Sequence, residues 1–217
     1  MDLEELARYW DAFGKRDPLW AIMAWPGKEG GKWDVEEFFS TGIHDLEPII
    51  QSAKLDSIDK ALDFGCGVGR LSQAMSKHFK QVIGVDISPS MIELAEKYNK
   101  FGERCQYQVC NGLKHFQDNT FEFILTILVL QHIEPKYSKK YIRDFVRILK
   151  PGGKLVFQMP SEPIETIQQH DVLTPMEMYG IPKDEILKLL DHGTVLDIQD
   201  ASNFKPGWKG FFYWVTK

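Results

Sequence analysis

From residue 60 onward, short apolar stretches alternate with amphipathic ones, and this alternation restricts the fold more than any other feature of the chain. "KALDF" at 60–64, "QVIGVD" at 81–86, "CQYQVC" at 105–110, "FEFILTILVL" at 121–130 and "KLVFQM" at 154–159 read as strands. Between them, Gly69 to Phe79 carries Leu71, Ala74, Met75, His78 and Phe79 at helical spacing. Ser88 caps a second helix, with Pro89 at its first position and Met91, Ile92, Leu94 and Ala95 on its apolar side. "KYSKKYIRDFVRIL" sets Tyr141, Ile142, Phe145, Val146 and Leu149 along one side of a third helix, which "KPGG" stops. Strands separated by helices pair in parallel through crossovers, and helices then cover both faces of the sheet. The unbroken run at 121–130 fits a central strand buried on both sides.

The tail breaks this rhythm. "PKDEILKLLDHG" reads as a helix, "TVLDIQD" and "KGFFYWVTK" as strands, and the link "ASNFKPGW" between the two strands holds no helix. Strands joined without a crossover helix pair antiparallel. The predicted fold is therefore α/β: a doubly wound, mostly parallel sheet of seven strands, the last antiparallel, with helices on both faces. Composition shifts near residue 55. Four of the six tryptophans precede it (Trp10, Trp20, Trp25 and Trp33), together with the loose "WPGKEGGKW" loop. The chain accordingly divides into an N-terminal helical and loop segment, 1–54, and a main domain, 55–217.

Several functions are disfavoured at once. A net charge of −5 argues against broad nucleic-acid binding, which needs Lys and Arg to neutralise phosphates. No apolar stretch approaches the ~20 residues that span a bilayer. The amphipathic, acidic start is unlike a signal peptide. Cys66, Cys105 and Cys110 are an odd set with no close pair, which points to a reducing cytoplasm rather than a disulfide framework. His44, His78, His115, His170 and His192 lack metal-ligand spacing, so no metal is expected.

"LDFGCGVGRL", residues 62–71, joins the first strand to the first helix through Gly65, Gly67 and Gly69. Glycines here permit unusual backbone angles and clear the way for a ligand, though a plain strand-to-helix turn would use them too. In a parallel sheet, ligands bind beyond the carboxyl ends of strands where the strand order reverses. Asp86 closes the second strand, where an acid can accept hydrogen bonds from both hydroxyls of a ribose or simply cap the following turn. Asp63 stands just before the glycines. A carboxylate there suits the positive end of a ligand better than a pyrophosphate. The spacing is G-x-G-x-G rather than G-x-G-x-x-G, which weakens the rival reading, a nicotinamide-dependent oxidoreductase.

"LDFGCGVGRL", "VIGVDISPSMIELA", "FEFILTILVLQHI" and "ILKPGGKLVF" together resemble the seven-strand, Rossmann-like class I S-adenosylmethionine-dependent methyltransferases over roughly residues 55–217. The resemblance implies S-adenosylmethionine as cofactor. It implies that Asp63, Gly65, Cys66 and Gly67 line the methionine end, that Asp86 binds the ribose and that Ile87 packs on the adenine. Asn111 stands where the family often has Asp at the adenine amino group, and Gly112 and Leu113 would shape that pocket. Thr126 would lie beside the methionine and methyl-transfer region. Glu122 replaces the family's common Asp within its strand.

Candidate residues for the chemistry are fewer. In "LQHIEP", His132 has the intrinsic pKa of a general base but equally suits a helix-start histidine bonded to backbone. Gln131 is a polar wall or a substrate contact, and Arg70 binds a cofactor carboxylate or forms a surface ion pair. Residues 1–45, with Trp20, Trp33, Phe38 and Phe39, are expected either to close over the cofactor as a lid or to pack as core. The segment "MPSEPIETIQQHDVLTPMEMYG" would supply further acceptor walls. The function expected is methyl transfer to an oxygen or nitrogen of a small-molecule acceptor. A module that binds S-adenosylmethionine without transferring a methyl is the non-enzymatic rival. The acceptor itself and the oligomeric state stay open.

Overall fold

The computed structural model describes residues 1–163, 177–202 and 207–217. Strands β1 (Lys60–Phe64), β2 (Gln81–Asp86), β3 (Cys105–Val109), β4 (Phe121–Thr126), β5 (Leu149–Pro163), β6 (Thr194–Asp200) and β7 (Trp208–Thr216) form one sheet. Their order is β3-β2-β1-β4-β5-β7-β6. The first five pair in parallel. β7 runs antiparallel to both β5 and β6, as the helix-free link predicts. Strand order therefore reverses beside β1, and the crevice there opens between the tips of β1 and β4.

Alternation along each strand builds two cores. Leu62, Phe64, Ile83, Val85, Ile124, Leu155 and Phe157 face α6 (Pro135–Ile148) and α7 (Lys183–Leu189). Ala61, Val82, Phe123, Leu125 and Val156 face α4 (Arg70–Met75) and α3 (Val35–Ala53). Each large side chain buried this way contributes about 1.5–3 kcal/mol. Every residue of β4 is buried, which is why its sequence lacks alternation.

Three elements differ in length from the sequence expectation. The apolar run at 121–130 is a strand only to Thr126. Leu128 then takes a left-handed φ of 62°, and Leu130–His132 form a single 3₁₀ turn. Ile127, Leu128 and Val129 are half-buried and Leu130 is buried, with Val129 against Gly65, so the apolar run continues after strand pairing has ended and hydrophobicity alone could not mark the end. The helix expected to reach Phe79 stops at Met75 and closes with tighter turn bonds, such as His78 N–H to Met75 O. "KPGG" lies inside the long β5 rather than forming a break, with a register shift where it meets β4.

The N-terminal helices have their own logic. α1 (Leu3–Arg16) and α3 begin at Asp2 and Asp34, whose carboxylates accept from Glu5 N and Glu37 N. α2 (Pro18–Ile22) starts on a proline. Leu19, Trp33 and Phe38 form a third apolar cluster with Val68 of the glycine loop and Met91 of α5 (Pro89–Tyr98). By contrast, Leu46 and Ala53 of α3 sit in the sheet core, so packing runs continuously across residues 54 and 55.

Candidate active site

After Phe64 the chain turns through Gly65, Gly67 and Gly69, with φ of 76°, 53° and 87°. These left-handed angles favour glycine. The turn is pinned by Gly65 N–H and Cys66 N–H, which both donate to Val85 O at 2.8 and 3.0 Å. Neighbours crowd it closely. A Cβ at Gly65 would lie 2.3 Å from Val129, at Gly67 2.6 Å from Ile22, and at Gly69 2.3 Å from the Tyr107 hydroxyl. Contacts from α2, β3 and the β4 exit thus converge on one loop, and the sequence carried no signal for any of them.

Asp86, half-buried at the end of β2, bridges this loop to α5. Its Oδ2 accepts from Gly67 N and its Oδ1 from Ser88 N, each at 2.9 Å. Burial raises its pKa above the ordinary aspartate value, and these backbone hydrogen bonds oppose the rise. A carboxylate has about four lone-pair sites, so acceptor capacity remains for the paired hydroxyls of a ribose. Cys110 N–H donates to Asp86 O at 2.8 Å and brings residues 110–113 alongside. There Asn111 is exposed and its carbonyl accepts from the Tyr141 hydroxyl at 3.0 Å. Leu113 is fully buried, Ile87 half-buried, and a Cβ at Gly112 would meet no atom within 4 Å.

Asp63 is only 2% exposed and accepts from Ser72 Oγ at 2.6 Å. Burial pushes its pKa to about 6. The Ser72 hydrogen bond and the positive charge of Arg70 offset part of that rise. Arg70, weighed above for a cofactor carboxylate or a surface ion pair, is 5% exposed. Its Nη1 donates to Asp45 at 2.6 Å and Thr41 at 3.0 Å, so the guanidinium ties α4 to α3. Cys66 is buried, burial pushes its thiol well above the ordinary range, and its Sγ–H donates to Gly67 O.

Thr126 and Gln131 mark the other wall of the crevice. Both are buried, and Thr126 Oγ1 and Gln131 Oε1 have no hydrogen-bond partner among the described residues. Such orphaned groups cost about 1–3 kcal/mol each unless water or a ligand meets them. Gln131 Nε2 lies 3.0 Å from His132 Nε2, and the His132 ring meets the edge of Trp10 at 5.6 Å. Gln158 on β5 accepts from Leu128 N and holds the left-handed turn. An open surface depression lined by Met1, Glu134, Glu177, Met178 and Tyr179 adjoins this wall, because Tyr179 N–H donates to Gln131 O at 2.8 Å. Residues 164–176 of the expected acceptor wall lie outside the described residues. Of the N-terminal aromatics, Trp33 and Phe38 are buried within their own cluster, and Trp20 and Phe39 are half-buried against it.

A glycine loop at a strand-order reversal, with an acid closing the next strand, defines a Rossmann-like nucleotide-binding fold, and the antiparallel β7 narrows it to the methyltransferase topology. Residues 62–157 match the family described as a methyltransferase domain. Over that span, and in its strand order, the chain resembles the class I S-adenosylmethionine-dependent methyltransferases. It is 31% identical over 105 residues to a demethylmenaquinone methyltransferase of Tropheryma whipplei, a match covering 48% of this chain and 43% of that protein. The chain thus spans less than half the length of that relative. It is 26% identical over 178 residues to a ubiquinone biosynthesis O-methyltransferase of Aliivibrio fischeri, covering 73% of this chain and 75% of that one. In fold it resembles magnesium protoporphyrin IX methyltransferase from Synechocystis with bound S-adenosylhomocysteine, at a TM-score of 0.74 and 16% identity over the whole of both chains.

Proposed function

We propose that the chain transfers a methyl group from S-adenosylmethionine to an oxygen or nitrogen of a small-molecule acceptor. The observation that carries this reading is Asp86, held by Gly67 N and Ser88 N at the tip of β2, within the span that matches a methyltransferase domain. When bound, the cofactor supplies a methyl already activated by its sulfonium, so the protein's work is alignment and water exclusion. Good orientation alone is worth roughly 7–11 kcal/mol.

Each residue then has a task. Asp86 accepts from the ribose hydroxyls. Asp63 faces the cofactor's ammonium, and Gly65, Cys66 and Gly67 give it close backbone approach. Ile87, Gly112 and Leu113 form the adenine slot, with the Asn111 side chain accepting from the adenine amino group. Arg70 acts indirectly, by keeping α4 against α3 through Asp45. Thr126 and Gln131 offer their unpartnered oxygens to the methionine or the acceptor. His132 takes the acceptor proton where one must leave. α1, α2 and the loop to Trp33 form the lid that excludes water. The quinone methyltransferase names among the relatives favour a small acceptor.

The test is calorimetric titration with S-adenosylhomocysteine against NADH, followed by transfer of a labelled methyl to phenols, hydroquinones and amines. Wild type should bind the first ligand only. Asp86→Ala should weaken binding by roughly a hundredfold, as expected for losing two charge-assisted hydrogen bonds. Binding of NADH instead would end the cofactor reading. Tight binding without transfer to any acceptor would leave only a binding module.

A further inference from the structure

The start of α5 is satisfied in an unusual way. An α-helix leaves its first N–H groups without partners inside the helix. Here Ser88 Oγ accepts from Met91 N at 3.2 Å, and Pro89 has no N–H to satisfy. The remaining donor, Ser90 N, finds its acceptor 79 residues away: Asp11 Oδ1 of α1, at 2.9 Å. Ser90 Oγ donates in turn to Asp11 O, also at 2.9 Å, and lies 3.2 Å from Ser88 Oγ. Helix α1 reaches this point because Gly14 has no side chain. A Cβ there would sit 2.2 Å from Ser90 Oγ.

Ser88 is itself the residue whose N–H Asp86 holds, and Asp86 also holds Gly67 N. One connected set of hydrogen bonds therefore runs from the glycine loop through Asp86, Ser88 and Ser90 to Asp11 on α1. The same N-terminal segment touches the loop again, where Ile22 of α2 packs on Gly67. The segment is thus fastened to the nucleotide side of the crevice at both ends.

We propose that Asp11 and Ser90 are positioning residues, a latch through which ribose binding at Asp86 and closure of α1–α2 over the glycine loop favour one another. This rests on the cofactor reading above. A ligand that accepts only the Asp86 arrangement held by Gly67 N and Ser88 N also favours the Ser88–Ser90 geometry that Asp11 recognises. Linkage makes the effect reciprocal: a closed α1 holds Asp86 ready, and bound ligand holds α1 closed.

The experiment is hydrogen exchange of residues 3–22 in the full chain, with and without saturating S-adenosylhomocysteine, alongside its affinity by calorimetry. In wild type the ligand should slow exchange in α1 and α2. Asp11→Ala should still bind, about tenfold more weakly, which is the worth of one charge-assisted hydrogen bond, and should lose the ligand-dependent slowing. Asp11→Asn keeps a side-chain oxygen for Ser90 N and should restore it. Ser90→Ala, which keeps the main-chain bond, should show part of the loss. A folded Asp11→Ala with wild-type affinity and wild-type slowing overturns the latch alone. Wild type that fails to bind S-adenosylhomocysteine overturns the cofactor reading and the latch together.

Discussion

Replacing Asp63 by Asn should make the protein more stable above neutrality while weakening its cofactor site. The carboxyl is 2% exposed, and burial lifts its pKa from the ordinary 3.8 to about 6. Above the folded pKa the native state carries a charge it holds less comfortably than the unfolded chain does. The stability this group lends is therefore present below about pH 4 and is lost as pH rises through 6. The distance between the two values corresponds to about 3 kcal/mol. Asparagine does not titrate and can still accept from Ser72 Oγ, so it escapes that loss. Chemical denaturation of both proteins should give nearly equal stabilities at pH 4 and a gap that widens to about 3 kcal/mol by pH 8. For a chain of this size, the melting temperature should then differ by roughly 6–12 °C. The same substitution should weaken S-adenosylhomocysteine binding, since the carboxylate proposed to face the ammonium is gone. Parallel stability curves across pH 4–8 would show that the Asp63 carboxylate is not penalised by its surroundings, and the electrostatic account of the loop would fail.

Two further substitutions probe the scaffold beneath the site. Gly42→Ala on α3 would set its Cβ 2.5 Å from Arg70 O, a backbone atom that cannot swing aside. The strain, about 1–3 kcal/mol, should outweigh the helix-propensity gain of about 1 kcal/mol and lower the urea midpoint. Phe123→Ala removes a fully buried ring stacked on Phe79 at 5.4 Å and should cost about 3–5 kcal/mol, read by the same denaturation.

The succession of strands and helices along the chain and the antiparallel last pair were both legible in the sequence. Each follows from local signals: the period of the apolar residues, the caps at Ser88 and Pro89, and a link without a helix. Gly65, Gly67, Gly69 and Asp86 could be singled out for the same reason, because turn and strand-end chemistry is written in adjacent residues. Partners were not legible. Nothing near Arg70 in the chain announces Asp45, and nothing near Ser90 announces Asp11. The length of β4 was also hidden, since Ile127 to Leu130 continue the apolar run after strand pairing has ended at Thr126.

Periodicity and turn residues act within a few positions along the chain, so the sequence alone could determine the architecture and the glycine-rich turn. The wiring of that loop was decided only by the folded structure: Ser72 on Asp63, Ile22 on Gly67, and the path from Asp86 to Asp11. Those contacts depend on how separate helices and strands stack in space, where a difference of one ångström separates a hydrogen bond from none.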